Sequence, residues 1–232
     1  MPTDTAIKQN IEQARQQINA AEIKYGRPPG SVELLAVSKT QPATAVMAAF
    51  EQQQYHFGEN YLQEALDKIT ALRKLPLIWH YIGAIQSNKT RAIAENFDWV
   101  QSVSSLKVAK RLSAQRPDAL TDLNICLQLN INSEANKSGT TLSELPSLVA
   151  EISTLPRIKL HGLMAIPQKM EHFDQQRAIF HDVWQAQQQL IEAGYPLEML
   201  SLGMSADLEA AIAEGSTMVR IGTAIFGARK TA

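Results

Sequence analysis

Eight short apolar segments alternate with longer stretches of helical spacing, and no other feature constrains the fold of this chain as much. The segments are Leu34 to Ser38, Tyr55 to Gly58, Leu77 to Ile82, Trp99 to Val103, Ile125 to Asn130, Lys159 to Met164, Met199 to Leu202 and Met218 to Gly222. Short apolar runs bounded by Gly, Pro and polar residues read as buried strands. Helical patterns begin near Pro42, Tyr61, Asn88, Ser105, Leu142, Phe173 and Asp207, several with a Pro, Ser or Asp start signal. Regular βα alternation implies right-handed parallel crossovers, and eight such units close a barrel. The expected architecture is α/β, a single (β/α)8 TIM barrel over residues 1–232. The alternative is an open doubly wound sheet, but no G-x-G-x-x-G follows the first strand and there is no Walker loop.

From Thr5 to about Tyr25, Ile7, Ile11, Ala14, Ile18, Ala21 and Ile23 recur mostly at helical spacing, so residues 1–25 are expected to form an added helix outside the barrel. The chain has 232 residues, 45% of them hydrophobic, enough for one sizeable core. A net charge of -1 argues against a general nucleic-acid or polybasic membrane surface. Cys126 is the single cysteine, which excludes an intrachain disulfide and a cysteine-rich metal site, and its apolar surroundings make it a small core residue. No signal segment is visible, and no apolar run approaches the ~18 residues of a membrane span. A soluble, cytoplasmic protein is expected, and the balanced surface suggests a monomer.

Lys39 closes the first strand pattern, Val32 to Lys39. A buried lysine is costly, and desolvation lowers its pKa toward the neutral amine that forms a Schiff base with an aldehyde. The alternative is a lysine that has left the sheet and snorkels to water. In TIM barrels functional residues gather at the carboxyl ends of strands, and phosphates are commonly held after the last two. Here those loops are Ser201-Leu202-Gly203-Met204-Ser205 and Gly222-Thr223-Ala224. Gly203 and Gly222 let backbone N–H groups approach an anion, and Ser201, Ser205 and Thr223 add hydroxyl donors. Arg220 sits inside the eighth strand between Val219 and Ile221. It either pairs with a buried carboxylate or donates to an aromatic nitrogen, which it would hold unprotonated. An amine, a phosphate cradle and a ring-nitrogen donor together describe a pyridoxal phosphate site.

At this point the chain resembles the pyridoxal phosphate homeostasis protein family, whose barrel is also like the amino-terminal domain of bacterial alanine racemase. The resemblance rests on Leu35-Ala36-Val37-Ser38-Lys39-Thr40, Phe57-Gly58-Glu59-Asn60-Tyr61, His80-Tyr81-Ile82-Gly83, Gln86-Ser87-Asn88-Lys89, Asn136-Lys137-Ser138-Gly139, Gly162-Leu163-Met164, the Ser201 to Ser205 loop and Val219 to Thr223 with Ile225-Phe226-Gly227. One departure is Ile85 where the family has leucine. The resemblance implies that Lys39 is the Schiff-base lysine, that Asn60 lies beside the cofactor ring, and that Arg220 faces its nitrogen. It also implies that Ser201, Ser205, Gly222 and Thr223 bind the phosphate.

The remaining polar residues carry blander expectations. His80 reads as a polar supporting residue, and His56, His161, His172 and His181 show no metal-ligand spacing. Glu59 reads as a surface salt bridge, with a hydrogen bond near the cofactor as the alternative, Lys137 as a solvated loop residue, with a second aldehyde contact as the alternative, and Met164, Met199 and Met204 as packing. The chain ends soon after Arg229, leaving no room for the second domain that gives alanine racemase its other catalytic base. The expected function is a non-enzymatic pyridoxal phosphate carrier that buffers the aldehyde and hands it to apoenzymes. The alternatives are a small racemase, with Tyr61 or His80 opposite Lys39, and a Schiff-base aldolase on a sugar phosphate.

Overall fold

The computed structural model describes residues 3–131 and 139–228. Eight parallel strands close into a barrel in sequence order: β1 (Glu33–Val37), β2 (His56–Glu59), β3 (Ile78–Tyr81), β4 (Trp99–Val103), β5 (Leu123–Leu129), β6 (Ile158–Ala165), β7 (Met199–Ser201) and β8 (Met218–Ile221). This is the expected TIM barrel and not the open sheet. Helix α1 (Asp4–Lys24) precedes it, and α2 (Ala43–Phe50), α3 (Leu62–Ala71), α4 (Thr90–Asn96), α5 (Leu106–Gln115), α6 (Leu145–Ile152), α7 (Phe173–Glu192) and α8 (Leu208–Ala213) follow β1 to β7 in turn. A single helical turn, α9 (Thr223–Phe226), follows β8 and has no counterpart in the sequence reading. Asn136, Lys137 and Ser138 lie outside the described residues.

Strand alternation sorts the apolar side chains into two clusters. Leu34 and Ala36 join Phe57, Val100, Ile125, Leu163 and Val219 in a sleeve between sheet and helices. Leu35 and Val37 turn the other way and meet Ile82, Met218 and Met199 in a much smaller cluster. Polar side chains, described below, fill much of the remaining interior.

With α9 reduced to one turn, the outer layer lacks a full helix beside β8. Helix α1 takes that place, packing against α2, α8 and α9, so it completes the helical ring and is more than an addition to it. Its stripe of Ile7, Ile11, Ala14, Ile18 and Ala21 is buried. Glu22, at the end of the stripe, is buried too. Its carboxylate accepts from the backbone N–H of Val32 at 2.8 Å and of Gly30 at 3.0 Å, which fastens α1 to the entry of β1. Asn10 Nδ2 donates to the Ile225 carbonyl at 2.8 Å and fastens α1 to α9.

Glu22→Ala is expected to leave the Gly30 and Val32 amides without an acceptor, at about 1–3 kcal/mol for each orphaned group. A urea unfolding curve measures this as a lower midpoint at unchanged slope. An unmoved midpoint would refute the fastening role.

Candidate functional site

Barrel closure brings together residues from the two ends of the chain. Leu35 pairs with Arg220 and Ala36 with Ile221 across β1 and β8. Val37 pairs with Gly58 on β2, and Ser201 on β7 pairs with Met218 on β8. The strands β7, β8, β1 and β2 are therefore neighbours, and every residue proposed for the site lies on them or in the loops after them. Lys39, two residues beyond β1, is half-buried. It borders a small cavity of about 30 Å³ shared with Val37, Gly222, Thr223 and Phe226. The approach is close, since a Cβ on Gly222 would stand 3.2 Å from the Val37 carbonyl oxygen. In the neighbouring loop Gly203 has φ +88°, and a Cβ there would meet the Ala211 Cβ at 2.6 Å. Wider furrows lie on the outside of the barrel, such as one of about 540 Å³ beside α1, but exposed side chains line most of it.

The turn carrying Lys39 is held from below. Ser38 to Gln41 form a tight turn, with Gln41 N–H donating to the Ser38 carbonyl at 3.0 Å. Thr40 inside it has φ +65°. A β-branched residue in that region is strained, at a cost on the order of 1–3 kcal/mol, and persists only where its surroundings over-determine it. They do so here. Lys68 Nζ, on α3, donates to the Ser38 carbonyl at 2.7 Å and to Glu59 Oε1 at 2.7 Å, and it also pairs with Glu64 at 2.5 Å. Ser38 Oγ donates to Glu59 Oε1 at 2.6 Å, and Thr40 N–H donates to Glu64 Oε1 at 2.6 Å. Both chain neighbours of Lys39 are thus tied to one ionic cluster, buried at Lys68 and Glu59 and partly exposed at Glu64.

That cluster corrects the expectation for Glu59, which is fully buried instead of lying in a surface salt bridge. Burial pushes its carboxyl above the ordinary carboxylate range, against the opposing pull of Lys68 and Ser38. Lys68 and Glu64 were missed in the sequence, where their only signal is an i,i+4 pair of opposite charge.

Arg220 enters the barrel interior and is 3% exposed. Among the described residues no carboxylate lies within ion-pair distance of it. Its Nη1 donates to the Ser201 carbonyl and, at 2.7 Å, to Ser201 Oγ, while Nη2 donates to the Ala165 carbonyl at 2.8 Å. No hydrogen bond to a described residue uses Nε–H. Burial brings the guanidinium down to about 10, with Asp207 pulling the other way, so it stays a cation at neutral pH.

The Ser201 hydroxyl accepts from Arg220 and donates to Gln101 Oε1 at 2.7 Å. Ser205 and Thr223 are exposed in the loops after β7 and β8. Behind Gln101, its Nε2 lies 2.9 Å from His80 Nδ1, and His80 Nε2 lies 2.9 Å from His56 Nδ1. His80 also stacks on Trp99, with ring centroids 5.5 Å apart. Burial lowers the affinity of both histidines for a proton, and that of His161, whose Nε2 lies 2.8 Å from Asn124 Oδ1. Cys126 is a buried core thiol, pushed up to about 12 by desolvation.

These residues fit an aromatic, phosphorylated aldehyde. Asn60 Oδ1 is buried without a hydrogen-bond partner, next to the strand that delivers Lys39. Arg220 retains N–H donors not used by a described residue, and the glycine at 222 keeps the narrow cavity beside Lys39 free of a side chain.

The chain is similar to known proteins over nearly its whole length. Residues 5–230 match the family model described as alanine racemase, N-terminal domain. A pyridoxal phosphate homeostasis protein from Pseudomonas aeruginosa is 52% identical over 225 residues, covering 97% of this chain and 96% of the relative. One from Escherichia coli K12 is 49% identical over 227 residues, covering 96% and 97%. Among solved structures, PipY of Synechococcus elongatus with PLP bound superposes with a TM-score of 0.84 at 35% identity, covering 95% of this chain and all 100% of that one. An alanine racemase from Clostridium difficile shares the fold, with a TM-score of 0.77 at 13% identity over 98% of this chain and 58% of its own.

Lys68→Met is expected to leave Glu59 an unpaired buried carboxylate and to cost about 3–5 kcal/mol of stability in urea unfolding. A loss well below that range would mean the cluster does not support the turn. The interior histidines set a pH dependence of definite sign. Their folded-state values are lowered, so below the ordinary histidine value of ~6.5 the unfolded chain binds protons that the folded chain excludes. Their contribution is complete above that value and declines as the pH falls. Melting temperature should therefore drop between about pH 7.5 and about pH 5.5, and a flat profile would contradict the assignment of neutral interior histidines.

Proposed function

Because this chain belongs to the pyridoxal phosphate homeostasis protein family, within the alanine racemase N-terminal domain family, we propose that it binds pyridoxal 5'-phosphate at the carboxyl end of its barrel. The observation that carries this reading is Arg220, a buried cation without a carboxylate partner among the described residues, on the strand between Lys39 and the two loops after β7 and β8. When bound, the cofactor supplies an aldehyde that a lysine amine can hold as a Schiff base. Lys39 is that lysine. Arg220 donates to the ring nitrogen, Asn60 lies beside the ring, and Gly222, Thr223 and Ser205 take the phosphate. Ser201 acts through Arg220 and leaves the phosphate to its neighbours.

The protein holds the cofactor and delivers it to apoenzymes in the cell without turning over an amino acid. An arginine keeps a pyridine nitrogen unprotonated and the ring a poor electron sink, which suits storage better than transamination. Racemisation needs a proton-transfer group on each face of the substrate. His80 is fully buried with both ring nitrogens in hydrogen bonds, and Tyr61 is 52% exposed, so neither supports that role.

The wild-type protein mixed with pyridoxal phosphate should develop a visible imine absorption band, and borohydride should fix the cofactor to the peptide containing Lys39, as read by mass spectrometry. Lys39→Ala should do neither. The loaded protein should reactivate an apo pyridoxal phosphate enzyme while leaving a panel of amino acids unchanged. Racemisation that depends on Lys39 would make it an enzyme, and no band with excess cofactor would remove the reading.

A further inference from the structure

We propose that Gln101 and His80 are positioning residues for Arg220: a directed chain of hydrogen bonds behind the guanidinium fixes its rotation and leaves its unused N–H donors for an acceptor on the ligand's ring. The direction of the chain follows from what each group can do. A guanidinium only donates. Ser201 Oγ must therefore accept from Arg220 Nη1, so its own proton goes to Gln101 Oε1. With its oxygen committed, the Gln101 amide turns its NH2 the other way, to His80 Nδ1 at 2.9 Å and Met218 Sδ at 3.1 Å. His80 then accepts at Nδ1, carries its proton on Nε2, and donates to His56 Nδ1.

Five residues on five strands thus share one polarity, from Arg220 on β8 through Ser201 on β7, Gln101 on β4 and His80 on β3 to His56 on β2. Gln101, His80 and Ser201 are each 0% exposed, and His80 is further held by its stack on Trp99. The lowered proton affinity of both histidines agrees with the neutral forms that this polarity requires. The Ser201 and Ala165 carbonyls alone would let the guanidinium pivot. The Ser201 hydroxyl, held by Gln101, adds the third contact that stops it. Glu33 and Asp98 are the charged groups closest in effect on His56, at the far end of the chain.

The functional half of this inference rests on the pyridoxal phosphate reading; the chain itself does not, and the experiment separates them. Nitrogen-15 spectra of the cofactor-free protein report the polarity directly. The wild type should show His80 protonated on Nε2, and the Arg220 terminal nitrogens should give separate, slowly exchanging signals. Gln101→Leu removes the acceptor of Ser201, so the Arg220 signals should average. Gln101→Glu keeps that acceptor while reversing the far side: Arg220 should stay resolved and the His80 proton should move to Nδ1. Pyridoxal phosphate affinity should fall about tenfold, or about 1.4 kcal/mol, in Gln101→Leu and return with Gln101→Glu. If Gln101→Leu fails to fold, Ser201→Ala breaks the same link.

Arg220 signals that stay resolved in the link-breaking variant would overturn the proposal, whatever the cofactor does. So would His80 protonated on Nδ1 in the wild type. Averaged Arg220 signals in the link-breaking variant, with a wild-type protein that binds no pyridoxal phosphate, would uphold the positioning chain and overturn the cofactor reading instead.

Discussion

A cation that cannot discharge, carried by a strand into a space closed to water, is the constraint on which the interior of this barrel depends. Even with burial lowering it to about 10, Arg220 remains protonated at neutral pH. An isolated charge in such a place is prohibitively costly, so the interior must surround it with acceptors. Barrel interiors are usually packed with layers of branched apolar side chains. Here the apolar interior cluster is confined to Leu35, Val37, Ile82 and Met218 with Met199, and the space between is given to Ser201, Gln101 and His80. The polar interior is therefore a consequence of one residue on β8. Its partners are carbonyls and a hydroxyl instead of a carboxylate. A carboxylate would neutralise the cation, whereas neutral acceptors leave its charge available to whatever approaches the mouth.

A second ionic device supports the opposite flank. A buried salt bridge is weak evidence for stability, because desolvation offsets most of the attraction. The Lys68, Glu59 and Glu64 cluster is better understood through what it fastens. It holds the Ser38 carbonyl, the Ser38 hydroxyl and the Thr40 amide, the backbone on both sides of Lys39, and stabilises a threonine at φ +65° that would otherwise relax. Strain on the order of 1–3 kcal/mol is comparable to the contribution of two or three hydrogen bonds, which is what the cluster adds to this turn. Among the described residues Glu59 Oε2 has no hydrogen-bond partner, so the cluster keeps an unused acceptor.

The sequence revealed the barrel because parallel strands covered on both faces are nearly continuous apolar runs, and these stand out against helices with a polar side. Lys39 and Arg220 stand out in the sequence for a related reason: a charged residue within or at the end of such a run needs an explanation. Gln101, in the middle of Trp99 to Val103, carries the same signal and escaped notice because an uncharged amide draws less attention. Lys68 was illegible. An i,i+4 Glu64–Lys68 pair is also what any solvated helix face shows, and only the packing of α3 against β1 and β2 turns it inward. The inward hydrogen bonds of Ser201 were legible only in part: the period of two along β7 puts it on the same face as Met199, inside the barrel, but does not place it against Arg220 and Gln101.

Taken together, the two devices make a site with a fixed floor and an open rim. The parts that would hold an aromatic aldehyde in one orientation, the Arg220 guanidinium and the Lys39 turn, are each locked by groups buried below them. The parts that would hold its phosphate, Ser205, Thr223 and the backbone at Gly222, lie in the two loops after β7 and β8, where Ser205 and Thr223 are exposed. The lock has a chemical consequence as well. Holding Arg220 commits both nitrogens of His80 to hydrogen bonds, so that histidine has no free position from which to accept or give a proton. The interactions that hold Arg220 thereby make His80 part of the buried scaffold of the interior.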